Sequence, residues 1–117
     1  MADVYLPAGW PEAVAPSGTE NWEARAVANW LIDQCPDLRG HTAVRWYPVA
    51  MAVITVHVLR GSLEGARQGY RVARSELGEA LPPHAIDAVL AAYKTEGRRL
   101  AAAVKAAELV ERALRDG

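Results

Sequence analysis

Hydrophobic residues in the middle of the chain recur with a seven-residue period. Counting from Val49, apolar side chains return at every seventh position and again three positions later: Val49, Val56, Leu63, Tyr70 and Leu77, with Ala52, Leu59, Ala66 and Ala73. This spacing places them on one side of an α-helix, whereas a β-strand needs a period of two. The β-branched segment 53–59 also fits a short buried strand, but the sevenfold pattern continues through it. The pattern therefore predicts one helix over 48–77, about 45 Å long.

A second stripe of apolar and small residues follows the opposite side of the same helix. Its members are Met51, Ile54, Val58, Gly61, Gly65 and Gly69. Each glycine inside a helix costs on the order of 1 kcal/mol relative to alanine, so three of them indicate either a compensating contact or a break. Small residues four apart allow another helix to approach closely. Two alternatives follow: a packed contact with a third helix or a second copy of the chain, and a kink near Gly61.

The N-terminal part of the chain predicts an arm followed by a shorter helix. Residues 1–18 contain several prolines and glycines and predict an extended arm lying along the protein or along a partner subunit. Ser17 and Glu20 have the spacing of a capping box, which predicts a helix over 19–34. The apolar face of this helix comprises Trp22, Ala26, Val27, Trp30 and Leu31. A connection over 35–47, with a short helical turn, leads to the long helix.

The C-terminal part predicts a second long helix over 83–114, after a turn that contains glycine and two prolines. If the two long helices fold back antiparallel, residues whose numbers sum to about 163 lie at the same level. Large residues then face large ones, and small residues face small ones: Leu77 with Ile86, Tyr70 with Tyr93, Leu63 with Leu100, Val56 with Ala107, and Val49 with Leu114. Ala66 faces Gly97, where the helices could approach closely. This mutual fit predicts a long antiparallel helical hairpin.

Composition agrees with one folded helical domain. The chain has 117 residues, of which 51% are hydrophobic and 23% charged, enough to form a core. We predict an all-α fold in which residues 19–117 form a long antiparallel hairpin with the shorter N-terminal helix on its open end. This arrangement resembles a three-helix bundle and could pair into a larger one. The abundance of alanine and arginine is typical of a high-GC bacterial genome.

Charge and cysteine content restrict the class of function and the location. The net charge is −1, with an acidic segment over 1–40 and a mildly basic one over 41–117, and the pI of about 6.3 is low for a dedicated nucleic-acid-binding domain. The single cysteine, Cys35, allows no intrachain disulfide. No leader pattern opens the chain, and its longest uncharged run, 46–59, is shorter than the ~20 residues of a membrane span. We expect a cytoplasmic protein with no membrane partner.

Residues that could carry chemistry do not form a catalytic or metal-binding pattern in the sequence. His41, His57 and His84 lack the spacing of paired metal ligands. Cys35 and His41 are close in sequence, but nothing indicates an oxyanion site beside them, so a half-buried thiol at a helix end is the simpler interpretation. We therefore predict no enzymatic activity and no cofactor.

Two features of the long helices remain candidates for ligand binding. Four arginines share one flank and could bind phosphates or an acidic partner: Arg60, Arg67, Arg71 and Arg74. A solvated flank, or pairing with acidic residues of the first helix such as Glu20, Glu23 and Asp33, is the simpler interpretation. Tyr70 and Tyr93, which share one level of the hairpin, could line a small pocket together with Trp22.

The sequence therefore favours a non-enzymatic helical interaction or accessory module. We predict that it binds itself as a homodimer, or binds another protein, through the second apolar stripe. One alternative is a nucleic-acid or anion-binding regulator that uses the arginine flank. The other is a small-ligand-binding protein with a pocket between helices.

Overall fold

The computed structural model describes residues 7–15 and 24–116, with the side chains of residues 24 and 25 excepted. These parts are all-α and contain no strand, so the predicted fold class is confirmed. The elements in chain order are helix α1 (Ala24–Gln34), a 3-10 helix (Pro36–Gly40), helix α2 (Thr42–Arg45), helix α3 (Pro48–Leu77) and helix α4 (Pro83–Asp116). Residues 16–23 lie outside the described parts, and with them the start predicted for the first helix, its capping box and Trp22.

Helices α3 and α4 form the long hairpin that the sequence predicts. α3 has the predicted bounds, and α4 ends two residues beyond the predicted position. Proline opens α3 in its first turn, where the missing N–H would have no helical partner in any case. The strand alternative for residues 53–59 is wrong, because the helix continues unbroken through this segment and through all three of its glycines.

Contacts between the two helices agree with the register inferred from the sequence. The ammonium of Lys94 lies 5.8 Å from the ring centroid of Tyr70, and Arg74 is 3.8 Å from the carboxylate of Asp87. Apolar side chains of the seven-residue pattern meet between the helices, and the alanines at the small positions are buried: Ala52, Ala66 and Ala73 on α3, Ala103 and Ala107 on α4. The seam between the helices is thus packed as a periodic pattern requires.

The main core lies at the open end of the hairpin. Helix α1 packs there against α3 and α4, and the 3-10 helix contacts α1 and contributes its buried Leu38 to the same core. The buried side chains come from all four elements: Val27, Trp30, Leu31, Ile32, Leu38, Met51, Val56, Leu59, Leu100, Val104 and Val110. A separate small cluster of Ala73, Ile86 and Leu90 packs beside the hairpin turn. The fold is therefore wide and three-layered at one end and a bare helix pair at the other, which gives it dimensions of 59 × 34 × 17 Å.

The described part of the N-terminal arm, residues 7–15, lies on the body of the protein. The side chain of Val14 is buried in the main core, and the indole N–H of Trp10 donates a 3.0 Å hydrogen bond to the carbonyl oxygen of Val14. Gly9 has a φ of 95°, a conformation that glycine adopts without strain, and it lies against the aliphatic stem of Lys105 on α4. A larger side chain at Gly9 would meet that stem, so this tight turn sets the path of the arm over α4.

Candidate functional site

An exposed apolar row runs along the side of α3 that faces away from α4. We call it the outer row, and it comprises Tyr47, Ile54, Val58, Gly61 and Gly65. Tyr47 and Val58 expose 66% and 46% of their surface, and Trp46, which precedes the row, exposes 81%. Ile54 is partly buried, and a Cβ added to Gly61 or Gly65 would meet nothing within 4 Å. Ile54 packs in part against the main core, while the exposed side chains of Tyr47 and Val58 and the space beside the two glycines are open to a partner.

Two members of the sequence-predicted stripe are occupied within the chain. Met51 is fully buried in the main core. Gly69 lies directly beneath the end of the Tyr93 side chain, so that an added Cβ would be 2.5 Å from Cε1 of the ring. At 100° per residue, Met51 and Gly69 both lie about 40° from Tyr47 and Gly65, on the edge of the stripe nearer the hairpin seam. The open surface is therefore shorter than the stripe that the sequence predicts.

The arginine flank is exposed, and three of its four members form ion pairs. Arg60 pairs with Glu108 of α4 at 3.0 Å, Arg71 with Glu64 of α3 at 3.2 Å, and Arg74 with Asp87 at 3.8 Å. The acids of these pairs lie on α3 and α4, so the expected pairing with the first helix is not seen in the described parts of the chain. All these side chains are more than 40% exposed, so each pair contributes at most about 1 kcal/mol.

Arg67, the fourth member of the flank, has no hydrogen bond or ion pair with any described residue. It lies instead at the edge of a groove of about 310 Å³ between the middle parts of α3 and α4. We call this the hairpin groove, and its lining residues are Ala66, Arg67, Tyr70 and Arg71 of α3 with Tyr93, Lys94 and Gly97 of α4. The groove thus brings together two features that the sequence suggested separately, the arginines and the tyrosine pair. Trp22, the third residue of the predicted pocket, lies outside the described residues.

Small residues facing each other create the hairpin groove. Ala66 is nearly buried at its base, and a Cβ added to Gly97 on the opposite helix would meet nothing within 4 Å. Larger side chains at this level would fill the space. Tyr70, which is 38% exposed, and the partly buried Tyr93 lie beyond the small residues, and Lys94 lies over the Tyr70 ring. The arrangement is a shallow, partly aromatic groove with cations at its rim.

The thiol of Cys35 is a poor nucleophile in this fold. The residue is buried at the end of α1, and burial, followed by the negative charge of Asp37, raises the pKa of the thiol. A hydrogen bond from the Leu38 backbone opposes this shift only in part. His41, which follows the last residue of the 3-10 helix, is exposed. Within residues 7–15 and 24–116, no three His, Cys, Asp or Glu side chains come together as metal ligands would.

The chain matches no protein-family model, no curated protein and no solved structure.

Helix α3 is the one helix in the described parts that is long and apolar enough to cross a membrane by length and composition. Its most apolar 18-residue window has a mean hydropathy of 1.3, and 33% of that window is buried inside the fold. The apolar residues of the window divide between the core side, including Val56 and Leu59, and the outer row. Helices at the centre of a folded core have the same length and composition.

Sequence reasoning missed two features of α3 and the residues that precede it. The first is the exposure of Trp46 and Tyr47 just before α3. Their position beside a proline does not indicate whether these aromatic side chains face the core or the solvent. Thr55 is fully buried between α3 and its neighbours, and its hydroxyl has no hydrogen-bond partner among the described residues. The β-branched run around Thr55 gave no sign of this, because threonine and valine fit the same helical space.

Proposed function

We propose that the protein is a non-enzymatic helical interaction module that forms a homodimer through the outer row of α3. The proposal is supported by the exposure of Tyr47 and Val58 beside two glycines that no described residue covers. Exposed large apolar side chains in a contiguous row are typical of a surface that binds another protein. From Tyr47 to Gly65 the row covers 18 residue steps, about 27 Å of helix, which is long enough for a second helix to lie along it.

A second copy of the chain fits the row because its large and small residues lie at opposite ends. A two-fold axis makes the same surface face itself, with the two copies of α3 antiparallel. In such a pair, Tyr47 can lie opposite Gly65 of the partner subunit. Ile54 then lies opposite Val58 of the partner subunit, because both pairs of positions are centred on residue 56. The bulky tyrosine then faces a residue without a side chain, and two branched aliphatic residues face each other. The glycine end of each copy thus receives the aromatic end of the other.

The test is the native mass of the full chain, measured by light scattering on a sizing column over a concentration series. We expect the mass to rise from 12.7 kDa towards twice that value as the concentration increases. Ile54→Lys together with Val58→Lys places two charges in the row and should raise the dissociation constant by at least roughly tenfold, because a buried unpaired charge costs more than about 1.4 kcal/mol. Gly61→Leu tests the same surface by adding a large side chain. The monomer has open space at Gly61, so this variant should weaken the dimer without disturbing the monomer.

The matched control is Ala91→Lys together with Ala102→Lys, which adds the same charge at exposed positions of α4. This control should dimerise as the unchanged chain does. Circular dichroism checks that every variant keeps its helical content. The proposal fails if the chain stays at the monomer mass at all concentrations, or if the outer-row variants dimerise as strongly as the control.

A further inference from the structure

We propose that the hairpin groove binds a small organic anion that carries a flat apolar ring, such as an aromatic carboxylate. This inference concerns a different surface from the outer row and does not depend on dimer formation. It is based on three properties of the groove: its empty space, its unbalanced positive charge and its aromatic walls.

The space in the groove suits a small molecule. Its volume of about 310 Å³ lies at the lower end of the range of small-molecule sites. The space beside Gly97 is empty at the position where any other residue would place a Cβ. Ala66 closes the base from the opposite helix. A single ring system with one acidic substituent fits this volume, whereas a folded partner would contact only the rim.

The charge of the groove favours an anion. Arg67, Arg71 and Lys94 line it, and none of its seven lining residues is acidic. Glu64, which pairs with Arg71, lies outside the lining, and Gln68 holds the same guanidinium through a 2.6 Å hydrogen bond. Arg67 has no ion pair with any described residue, so its planar guanidinium is free to donate two parallel hydrogen bonds to a carboxylate.

Lys94 adds a second cation that has no acidic partner among the described residues. Its ammonium lies 5.8 Å from the centroid of the Tyr70 ring and is held at the rim by that cation–π contact. An anion bound by Arg67 would therefore meet positive charge from both helices. The other flank arginines are less suited to this role, since Arg60 and Arg74 are engaged by acids of α4.

The aromatic walls favour an anion with a ring over a bare inorganic ion. Tyr70 and Tyr93 offer flat apolar surface beside the small residues, and stacking of ring on ring adds to the energy of apolar burial. Phosphate or sulfate would use the cations and leave these surfaces in water. A nucleic-acid strand would need cations beyond the groove, and the flank arginines on either side of it, Arg60 and Arg74, are paired with acids of α4. The chemistry of the groove thus points to a ring with an acidic group.

The probe for the test is 2-naphthoate, titrated into the ¹⁵N-labelled full chain and followed by two-dimensional NMR. We expect saturable shifts centred on the backbone amides of residues 66–71 and 93–97. The neutral isostere 2-naphthamide should bind roughly three- to tenfold more weakly, because it loses the charge-assisted hydrogen bonds. Arg67→Ala should weaken naphthoate binding by a similar factor.

Gly97→Leu is the blocking variant, because its side chain would occupy the empty space of the groove. The matched control is Ala102→Leu, which adds similar bulk at an exposed position on the same helix. We expect Gly97→Leu to abolish the shifts and Ala102→Leu to retain them, while neither changes the dependence of native mass on concentration. Ligand binding in the groove and dimer formation are thus tested by separate measurements, and a monomeric native mass would not contradict binding in the groove.

Any one of the following results would overturn the proposal. The first is that naphthoate produces no saturable shifts at residues 66–71 and 93–97. The second is that naphthoate and naphthamide bind equally well, which would show that the cations do not contribute. The third is that Gly97→Leu binds as the control does, or that the shifts centre on Ile54 and Val58, which would place the probe on the outer row.

Discussion

Three glycines in α3 allow one substitution to be compared in three surroundings. Gly61, Gly65 and Gly69 follow one another at four-residue intervals in the same helix. Glycine to alanine inside an exposed helix stabilises a protein by about 0.5–1 kcal/mol, because the backbone of alanine loses less entropy on folding. Space is open beside Gly61 and Gly65, so Gly61→Ala and Gly65→Ala should each raise the free energy of unfolding by this amount.

Gly69→Ala should behave differently because of Tyr93. The new Cβ would lie 2.5 Å from Cε1 and 2.6 Å from the hydroxyl oxygen of that side chain, well inside van der Waals contact. The tyrosine has to move, and overpacking of this kind costs about 1–3 kcal/mol. After the gain in helix propensity, the net change is between roughly zero and a loss of about 2.5 kcal/mol. Gly69→Ala should therefore be less stable than Gly61→Ala by about 1–3 kcal/mol.

Urea unfolding followed by circular dichroism measures this difference, at a protein concentration where the native mass is that of a monomer. A double-mutant cycle identifies the cause. In a Tyr93→Leu background, Gly69→Ala should become as stabilising as Gly61→Ala, because the atoms that it would meet are gone. If Gly69→Ala stabilises the unchanged chain as much as Gly61→Ala does, Tyr93 does not lie over Gly69 and the register of α3 against α4 is wrong.

Three further predictions follow from individual side chains. Thr55→Val should raise the free energy of unfolding by about 1 kcal/mol, because it removes a buried unpaired hydroxyl and keeps the shape of the side chain, whereas Thr55→Ser should lower it. Cys35 should react slowly with iodoacetamide in the folded protein and quickly in urea. Because its pKa is raised by folding, the unfolded thiol loses its proton at a lower pH than the folded one, so stability should fall as the pH rises through the unfolded pKa, and Cys35→Ala should remove this dependence. Arg60→Ala should change stability by less than about 1 kcal/mol, because its ion pair with Glu108 is exposed; a larger loss in urea unfolding would contradict this.

The hairpin could be predicted from the sequence because its pattern is long and redundant. The seven-residue repeat through Val49, Val56 and Leu63 specifies both the helix and the side that it buries. The register followed from matching large and small residues between two helices, and Ala66 opposite Gly97 was part of that match. Both predictions use only the spacing of residue types along α3 and α4, so neither needs side-chain positions. The pattern of one helix restricts how the other can be paired with it.

The extent of the outer row could not be predicted from spacing alone. Met51 and Gly69 fit the second stripe in sequence, but at 100° per residue both lie on its edge nearer the core and the seam. Whether such a border residue is exposed depends on where α1 and Tyr93 lie, which the sequence does not specify. The hairpin groove was missed as a unit for a similar reason: Lys94 becomes its neighbour only once the helices are set side by side.

Cross-linking between copies tests the antiparallel dimer most directly. Tyr47→Cys and Gly65→Cys chains, distinguished by a mass tag, are oxidised separately and as a mixture, with Cys35 buried in both. In the proposed arrangement, two copies of position 47 lie about 27 Å apart along the helices, far beyond disulfide reach, while position 47 faces position 65 of the partner subunit. We predict a disulfide-linked product that forms readily in the mixture and joins one chain of each kind. No mixed product, or equal products from each chain alone, would contradict the account.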